Sequence, residues 1–192
     1  MTLKILGILG SPCLNGNTAD LLEAALEGAR SAGAETERLD LARMNYRPCL
    51  ECRACDSAAE CTHGRDDMGI IYSRIRSVDG IVLASPIFFM SVTAQTKAMI
   101  DRCQCFWVER YALKRRVYEG RRRPKGLFVS CAGSPKSIVF EPAKHVVRAF
   151  FAAIDYEYSG EVLLGHTDDP DLGPRKKQVL EDARSAGRKI CE

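Results

Sequence analysis

The sequence predicts an α/β fold: a doubly wound, five-stranded parallel sheet in the order 2-1-3-4-5. Three observations carry this. Short apolar runs alternate along the chain with segments whose apolar residues recur at helical spacing, which is the pattern of strand–helix–strand units with right-handed crossovers. Most of these runs are continuously apolar, as expected of strands buried on both faces. The loop after the first run is polar and opens a helix, yet it carries neither G-x4-G-K-[ST] nor G-x-G-x-x-G, which argues against a P-loop and a dinucleotide site. A loop of that kind favours the flavodoxin-like strand order.

The 192 residues, 46% hydrophobic and 28% charged, form one domain spanning 1–192, with a cysteine-rich loop at 43–67. A net charge of +3 points to no particular partner. No run of 18 apolar residues is present, so no membrane span is expected. The apolar start at 1–10 is too short for a signal peptide, lacks an A-x-A-like site and leads into a Gly-Ser-Pro turn. It reads as a buried strand of a cytoplasmic protein in a reducing compartment, where disulfide scaffolding is not expected.

Residues 3–9 form the first strand, ended by Gly10. Residues 11–18, SPCLNGNT, form a polar turn, and 19–32 a helix with Leu22, Ala25, Leu26 and Ala29 on one face. Asn17 or Thr18 is its expected cap and Gly33 its end. Backbone N–H groups at a helix N-terminus favour an anion, and a monophosphate fits, with Ser11, Asn15, Asn17 and Thr18 as donors. The plainer reading is an ordinary turn with a capping threonine. Residues 35–41 are a more polar strand near a sheet edge.

The loop that follows holds Cys49, Cys52, Cys55 and Cys61 at spacing C-x2-C-x2-C-x5-C. Four soft ligands in one short loop suit a [4Fe-4S] cluster or zinc. The two x2 spacings resemble bacterial cluster-binding runs, whereas zinc knuckles usually lie far apart in sequence. Reduced thiols without metal are the third reading. His63 is a surface histidine or an accessory ligand.

A helix at 68–76, capped by Asp66 or Asp67, buries Met68, Ile71, Tyr72 and Ile75. Residues 80–84 are a buried strand, and 85–93, SPIFFMSVT, lie at its carboxyl end, where ligands of open α/β sheets bind. Pro86, Phe88 and Phe89 offer a surface for a flat ring; the alternative is that both phenylalanines fill the core. A helix spans 94–108, with Cys103 and Cys105 expected in the core. Residues 110–125 are the most basic stretch, read as a solvated face or a docking patch for an acidic protein or a nucleotide 2'-phosphate. It lacks an aromatic array for stacking bases, so no nucleic-acid partner is expected. Residues 126–130 are the fourth strand, with 131–134 as its exit loop. A helix at 141–154, a strand at 156–164 and a last helix at 175–190 complete the chain.

GSPCLNGNT at 10–18 and ASPIFFMSVTAQTKAMIDR at 84–102 together resemble the NADPH-dependent FMN reductase family. With the cysteine motif between them, the chain looks like the iron–sulfur flavoprotein branch. That resemblance, over roughly residues 3–165, implies FMN, with its phosphate on Ser11, Asn15, Asn17 and Thr18. The ring and ribityl chain would lie against Pro86, Ile87, Phe88 and Phe89, near Ser91, with Ala132 and Gly133 closing the other side. It also implies a [4Fe-4S] cluster on Cys49, Cys52, Cys55 and Cys61, fed by a ferredoxin-type donor. Electrons would pass to FMN and on to oxygen, peroxide or quinone-type acceptors. NAD(P)H is an optional co-substrate, and the protein would be a homodimer or homotetramer with one subunit's cluster near another's flavin. Two departures stand out: Cys13 occupies a position that is often Arg, and Phe88 one that is commonly Tyr. Two other readings remain open at this point. One is an NAD(P)H-dependent FMN or quinone reductase without a cluster. The other is a non-catalytic module with a structural four-cysteine metal site.

Overall fold

The computed structural model of the chain describes residues 2–62, 65–115, 118 and 122–192. Its strands are β1 (Lys4–Leu9), β2 (Glu35–Asp40), β3 (Gly80–Ala84), β4 (Lys125–Cys131) and β5 (Glu157–Leu164). They form one sheet in the order β2-β1-β3-β4-β5, and every neighbouring pair is parallel. The flavodoxin-like order is therefore observed. The main helices are α1 (Asn17–Ser31), α3 (Met68–Ser77), α4 (Ala94–Arg102), α6 (Glu141–Ala153) and α7 (Leu172–Lys189), with short helices α2 (Cys55–Ala58) and α5 (Gln104–Trp107).

The sheet is buried on both faces, and the pleat sorts its residues between them. Ile5, Leu9, Val82, Ala84, Leu127 and Val129 pack under α1 and α7. Leu6, Ile8, Ile81, Leu83 and Phe128 face the opposite core with Met68, Ile71, Met99, Phe106 and Phe151. This is why the central strands read as continuous apolar runs, each fully buried Leu or Ile contributing about 1.5–3 kcal/mol. The polar strand β2 lies at the sheet edge and is largely half-buried.

Several local expectations are corrected. The first residue outside α1 is Gly16, and no side chain caps the helix, so neither Asn17 nor Thr18 has that role. The single helix expected at 94–108 is broken: α4 ends at Arg102, α5 follows at Gln104, and Val108–Ala112 widens into a π-helical turn. The break keeps Cys103, Cys105 and Phe106 in the core while turning Trp107 and Tyr111 outward. The last helix begins earlier, at Leu172, because Pro174 fits within its first turn.

Candidate active site at the carboxyl edge of the sheet

All five strands run the same way, so the loops after β1, β2, β3 and β4 leave from one edge. Their roots are fastened by a buried set of hydroxyl groups. Thr93 caps α4 and donates from Oγ1 to the Gly10 carbonyl at 2.6 Å, while its Oγ1 also lies 2.9 Å from Thr96 Oγ1. The Thr93 N–H donates to Ser85 Oγ, and Ser130 Oγ donates to the Ser85 carbonyl at 2.7 Å. The Ile87 N–H reaches the Cys131 carbonyl. Gly10 permits the tight fit, since a Cβ there would come within 1.8 Å of Thr96 Oγ1. Sequence reading passed over Ser85, Thr93, Thr96 and Ser130. The signal available was hydroxyl residues directly after or inside apolar strand runs, where an unpartnered polar group would be costly.

The β1 loop places Ser11, Cys13, Asn15, Asn17 and Thr18 around the N-terminus of α1. Ser11 is buried, and its Oγ accepts from the Cys13 N–H, which turns the chain toward the helix. Cys13, Asn15 and Pro12 are exposed, so Cys13 is not packed away. Thr18 is buried, with its hydroxyl 2.8 Å from the Cys131 sulfur; burial pushes that thiol up. The Thr18 side chain is thus engaged inside the protein, and the loop's open face consists of Asn15, Asn17, Cys13 and backbone.

The β3 loop forms a tight hairpin. Phe88 and Ser91 exchange N–H to carbonyl bonds of 2.9 and 3.0 Å. Phe89 and Met90 form its tip, both at positive φ, 48° and 63°. Turns of this kind favour Asn-Gly, and a bulky residue there is strained. Pro86 is buried and Ile87 half-buried, but Phe88 is about half exposed and Phe89 fully so. The phenylalanines do not fill the core. Ala132 is buried and Gly133 half-buried on the facing β4 loop. Gly133 packs against Asp168, whose carboxylate would meet any Cβ at 2.2 Å.

The cysteine loop also starts at this edge, after β2. Tyr46 Oη donates to the Gln95 carbonyl at 2.8 Å, tying the loop root to the start of α4 just past the hairpin. The loop then descends along α4. Cys49, Cys52, Cys55 and Cys61 line one cavity of about 530 Å³, together with Asp101, Arg102 and Gln104. That volume far exceeds the ~30 Å³ of a water molecule. Glu51, Arg53 and Ala59 all take positive φ, so the backbone turns sharply between successive cysteines. The Glu51 N–H points at Cys49 Sγ at 3.4 Å. The donor set is four thiols on one wall-lined cavity, and its chemistry fits an iron–sulfur cluster or zinc. Among the described residues, however, no three His, Cys, Asp or Glu side chains converge as metal ligands. His63 lies outside the described residues.

Beneath the loop, Cys103 and Cys105 are buried, as expected. Burial, with the neighbouring Cys61, pushes the Cys105 thiol up to about 11. Burial likewise raises Cys103 and, with Asp56 beside it, Cys55. The loop's two ends are joined by carboxylates: the Asn45 N–H donates to Asp67, and the Arg47 and Met68 N–H groups to Asp66. Arg102 closes this junction with a 2.7 Å ion pair to Asp66. Burial alone would raise the Asp66 carboxyl, but Arg102 and the two backbone donors hold it below the usual carboxylate range.

Residues 3–153 match the model of the NADPH-dependent FMN reductase family. An iron-sulfur flavoprotein from Archaeoglobus fulgidus is 38% identical over 191 residues, covering 99% of this chain and 80% of that protein. An iron-sulfur flavoprotein from Methanosarcina thermophila is 37% identical over 115 residues, covering 60% of each chain. Among solved structures, an NAD(P)H:quinone oxidoreductase from Methanothermobacter marburgensis has a TM-score of 0.70 at 20% identity, covering 100% of this chain and 98% of its own. An azoreductase from Bacillus anthracis has a TM-score of 0.69 at 16% identity, covering 98% and 100%. These two likenesses speak to the fold.

Proposed function

The chain belongs to the NADPH-dependent FMN reductase family of flavin oxidoreductases, and on that premise we propose that it is a single-domain iron–sulfur flavoprotein that passes electrons from a ferredoxin-type donor to FMN. Oxygen, peroxide or quinone-type molecules are the proposed acceptors. The observation that carries this reading is the gathering of four thiols around one cavity on a chain whose residues 3–153 match the NADPH-dependent FMN reductase family. When bound, FMN supplies transfer of one or two electrons and the cluster transfer of one.

The residues divide the work. Backbone N–H groups at the start of α1, with Asn15 and Asn17, hold the FMN phosphate; the helix dipole adds about 0.3–1 kcal/mol at an exposed site. Cys13 gives this loop a thiol in place of a cation, so it leans on backbone donors. Ser11 shapes the loop through its bond from the Cys13 N–H, and Thr18 supports it from within. Pro86, Ile87, Phe88, Phe89 and Ser91 present the flat face and edge groups for the ring, and Ala132 with Gly133 limits it opposite. Cys49, Cys52, Cys55 and Cys61 hold the cluster as thiolates. The exposed apolar hairpin tip, Phe89 and Met90, also favours a homodimer or homotetramer in which this surface is covered.

A second reading, an NAD(P)H-dependent FMN or quinone reductase without a cluster, is favoured by the exposure of Cys49 and Cys52 and by the lack of converging ligands among the described residues. Anaerobic purification followed by iron, sulfide, zinc and flavin analysis separates the two. Iron and sulfide at about four each per chain, with FMN, are expected. FMN alone, after failed reconstitution with iron and sulfide, would leave the second reading.

A further inference from the structure

Arg102 is a cation in the wall of the four-cysteine cavity, and it is only 3% exposed. A charge buried that deeply requires a partner. Asp66 supplies it: Arg102 Nη1 donates to Asp66 Oδ2 at 2.7 Å, and Nη2 lies 3.4 Å from Oδ1. Nη1 also donates to the Arg47 carbonyl at 3.0 Å. Arg47 stands two positions before Cys49, and Asp66 five after Cys61. One guanidinium thus grips both ends of the cysteine loop. It also meets the Cys61 side chain, and Tyr72 Oη donates to the Arg102 carbonyl at 2.9 Å, fixing the end of α4 that carries it. A clamp alone needs hydrogen bonds, which a neutral donor could supply. A guanidinium, charged at every accessible pH, adds a permanent positive charge beside thiolates.

We propose that Arg102 sets the reduction potential of the cluster held by Cys49, Cys52, Cys55 and Cys61, with Asp66 as the positioning residue that holds the guanidinium and offsets part of its charge. This rests on the cluster reading given above. Uptake of one electron from a one-electron donor adds one negative charge to the cavity. A fixed cation in the wall favours that state and raises the potential; the Asp66 carboxylate opposes it. Arg102 is buried and Asp66 largely so, which makes both effects larger than those of surface charges. Charge and hydrogen bonding near the sulfurs are among the levers that spread cluster potentials.

The test is a spectroscopically monitored redox titration, with dithionite as reductant, of reconstituted wild type, Arg102→Gln, Arg102→Lys and Asp66→Asn. Iron and sulfide are measured on each sample first. Arg102→Gln is expected to weaken electron uptake about tenfold, ~59 mV to the negative for a one-electron couple. Asp66→Asn is expected to shift the potential the other way, and Arg102→Lys to stay near wild type. A purely structural clamp would give losses of iron without opposite shifts. Unchanged potentials, or shifts of one sign, in variants that keep their iron would overturn the proposal. Should Arg102→Gln fail to fold, the positive shift of Asp66→Asn is still required, and its absence overturns the proposal. Wild type that takes up no iron sinks the cluster reading, and this inference with it; the iron analysis identifies that failure before any potential is read.

Discussion

Asp66 shows how a single carboxylate ties the cysteine loop to the rest of the protein. It accepts from the Arg47 and Met68 N–H groups and pairs with buried Arg102, so removing it strands a charge. Breaking such a pair costs about 3–5 kcal/mol. Asp66 is itself 16% exposed, which favours the lower end. Because its carboxyl is held below the ordinary range, its contribution is fully present above the unfolded value near ~3.9 and is lost as pH falls through the folded one. Asp66→Asn should therefore lower the unfolding free energy by about 3 kcal/mol at pH 7. The gap from wild type should narrow as the pH drops below about 4, since protonation then removes the same charge from wild type. Urea denaturation across that range checks both statements. A constant gap would mean that Asp66 acts through shape and not through its charge.

At the scale of elements, two sites trade fit against strain. The Phe88–Ser91 hairpin holds Phe89 and Met90 at positive φ with Phe89 fully exposed, an arrangement costing about 1–3 kcal/mol per residue. Replacing the tip with Asn-Gly, which that turn favours, should stabilise the apoprotein by about 1 kcal/mol and weaken FMN binding. Thermal unfolding and flavin fluorescence titration measure the two separately; unchanged FMN affinity would remove the tip from the flavin site. On the other side of the sheet, α1 and α7 approach through glycine. A Cβ on Gly187 would come within 1.9 Å of the Ala25 carbonyl oxygen, and one on Gly28 within 2.0 Å of the Arg184 carbonyl oxygen. Backbone gives way less easily than a side chain tip, so Gly187→Ala should destabilise by about 1–3 kcal/mol. It should leave FMN affinity near wild type, because this packing lies away from the β3 hairpin. Chemical denaturation and flavin titration on the same variant decide the matter.

Across the whole molecule, the fold was legible because periodicity and burial agree: GIVLA at 80–84 and GLFV at 126–129 are continuously apolar, as strands buried on both faces are. The loops after β1, β3 and β4 were legible for the same reason, since each follows such a run, whereas the loop after polar β2 was legible from the spacing of its cysteines. The Arg102 clamp and the Thr93–Ser85 network were not, because they join residues 36 and eight positions apart whose pairing depends on where α4 lands. Nor did periodicity reveal the break at Cys103, where continuing the helix would have kept the apolar pattern but not the packing. From Gln95, just past the β3 hairpin, to Arg102, in the cysteine cavity, α4 advances seven residues, ~10 Å. Beyond α5, the chain reaches a cavity of about 380 Å³ lined by Arg110, Lys114, Arg115 and Arg123, with Asp155 as its carboxylate. This basic surface adjoins the cysteine loop, since Val108–Ala112 packs against α2, and on the proposed reading it would offer an acidic electron donor a docking site beside the cysteines. Charge steering of this kind acts on association rate and fades with salt, the Debye length falling from ~30 Å at 0.01 M to ~8 Å at 0.15 M. Lys114→Glu with Arg115→Glu should therefore slow reduction by an acidic ferredoxin roughly tenfold at low ionic strength, and the difference should shrink as salt rises. Reduction of the same variant by NADPH should keep its wild-type rate if the nicotinamide engages the carboxyl edge. Stopped-flow absorbance resolves both rates on one preparation. Equal slowing with either reductant would show that the basic cavity serves the flavin or the nucleotide, and would move the donor surface elsewhere.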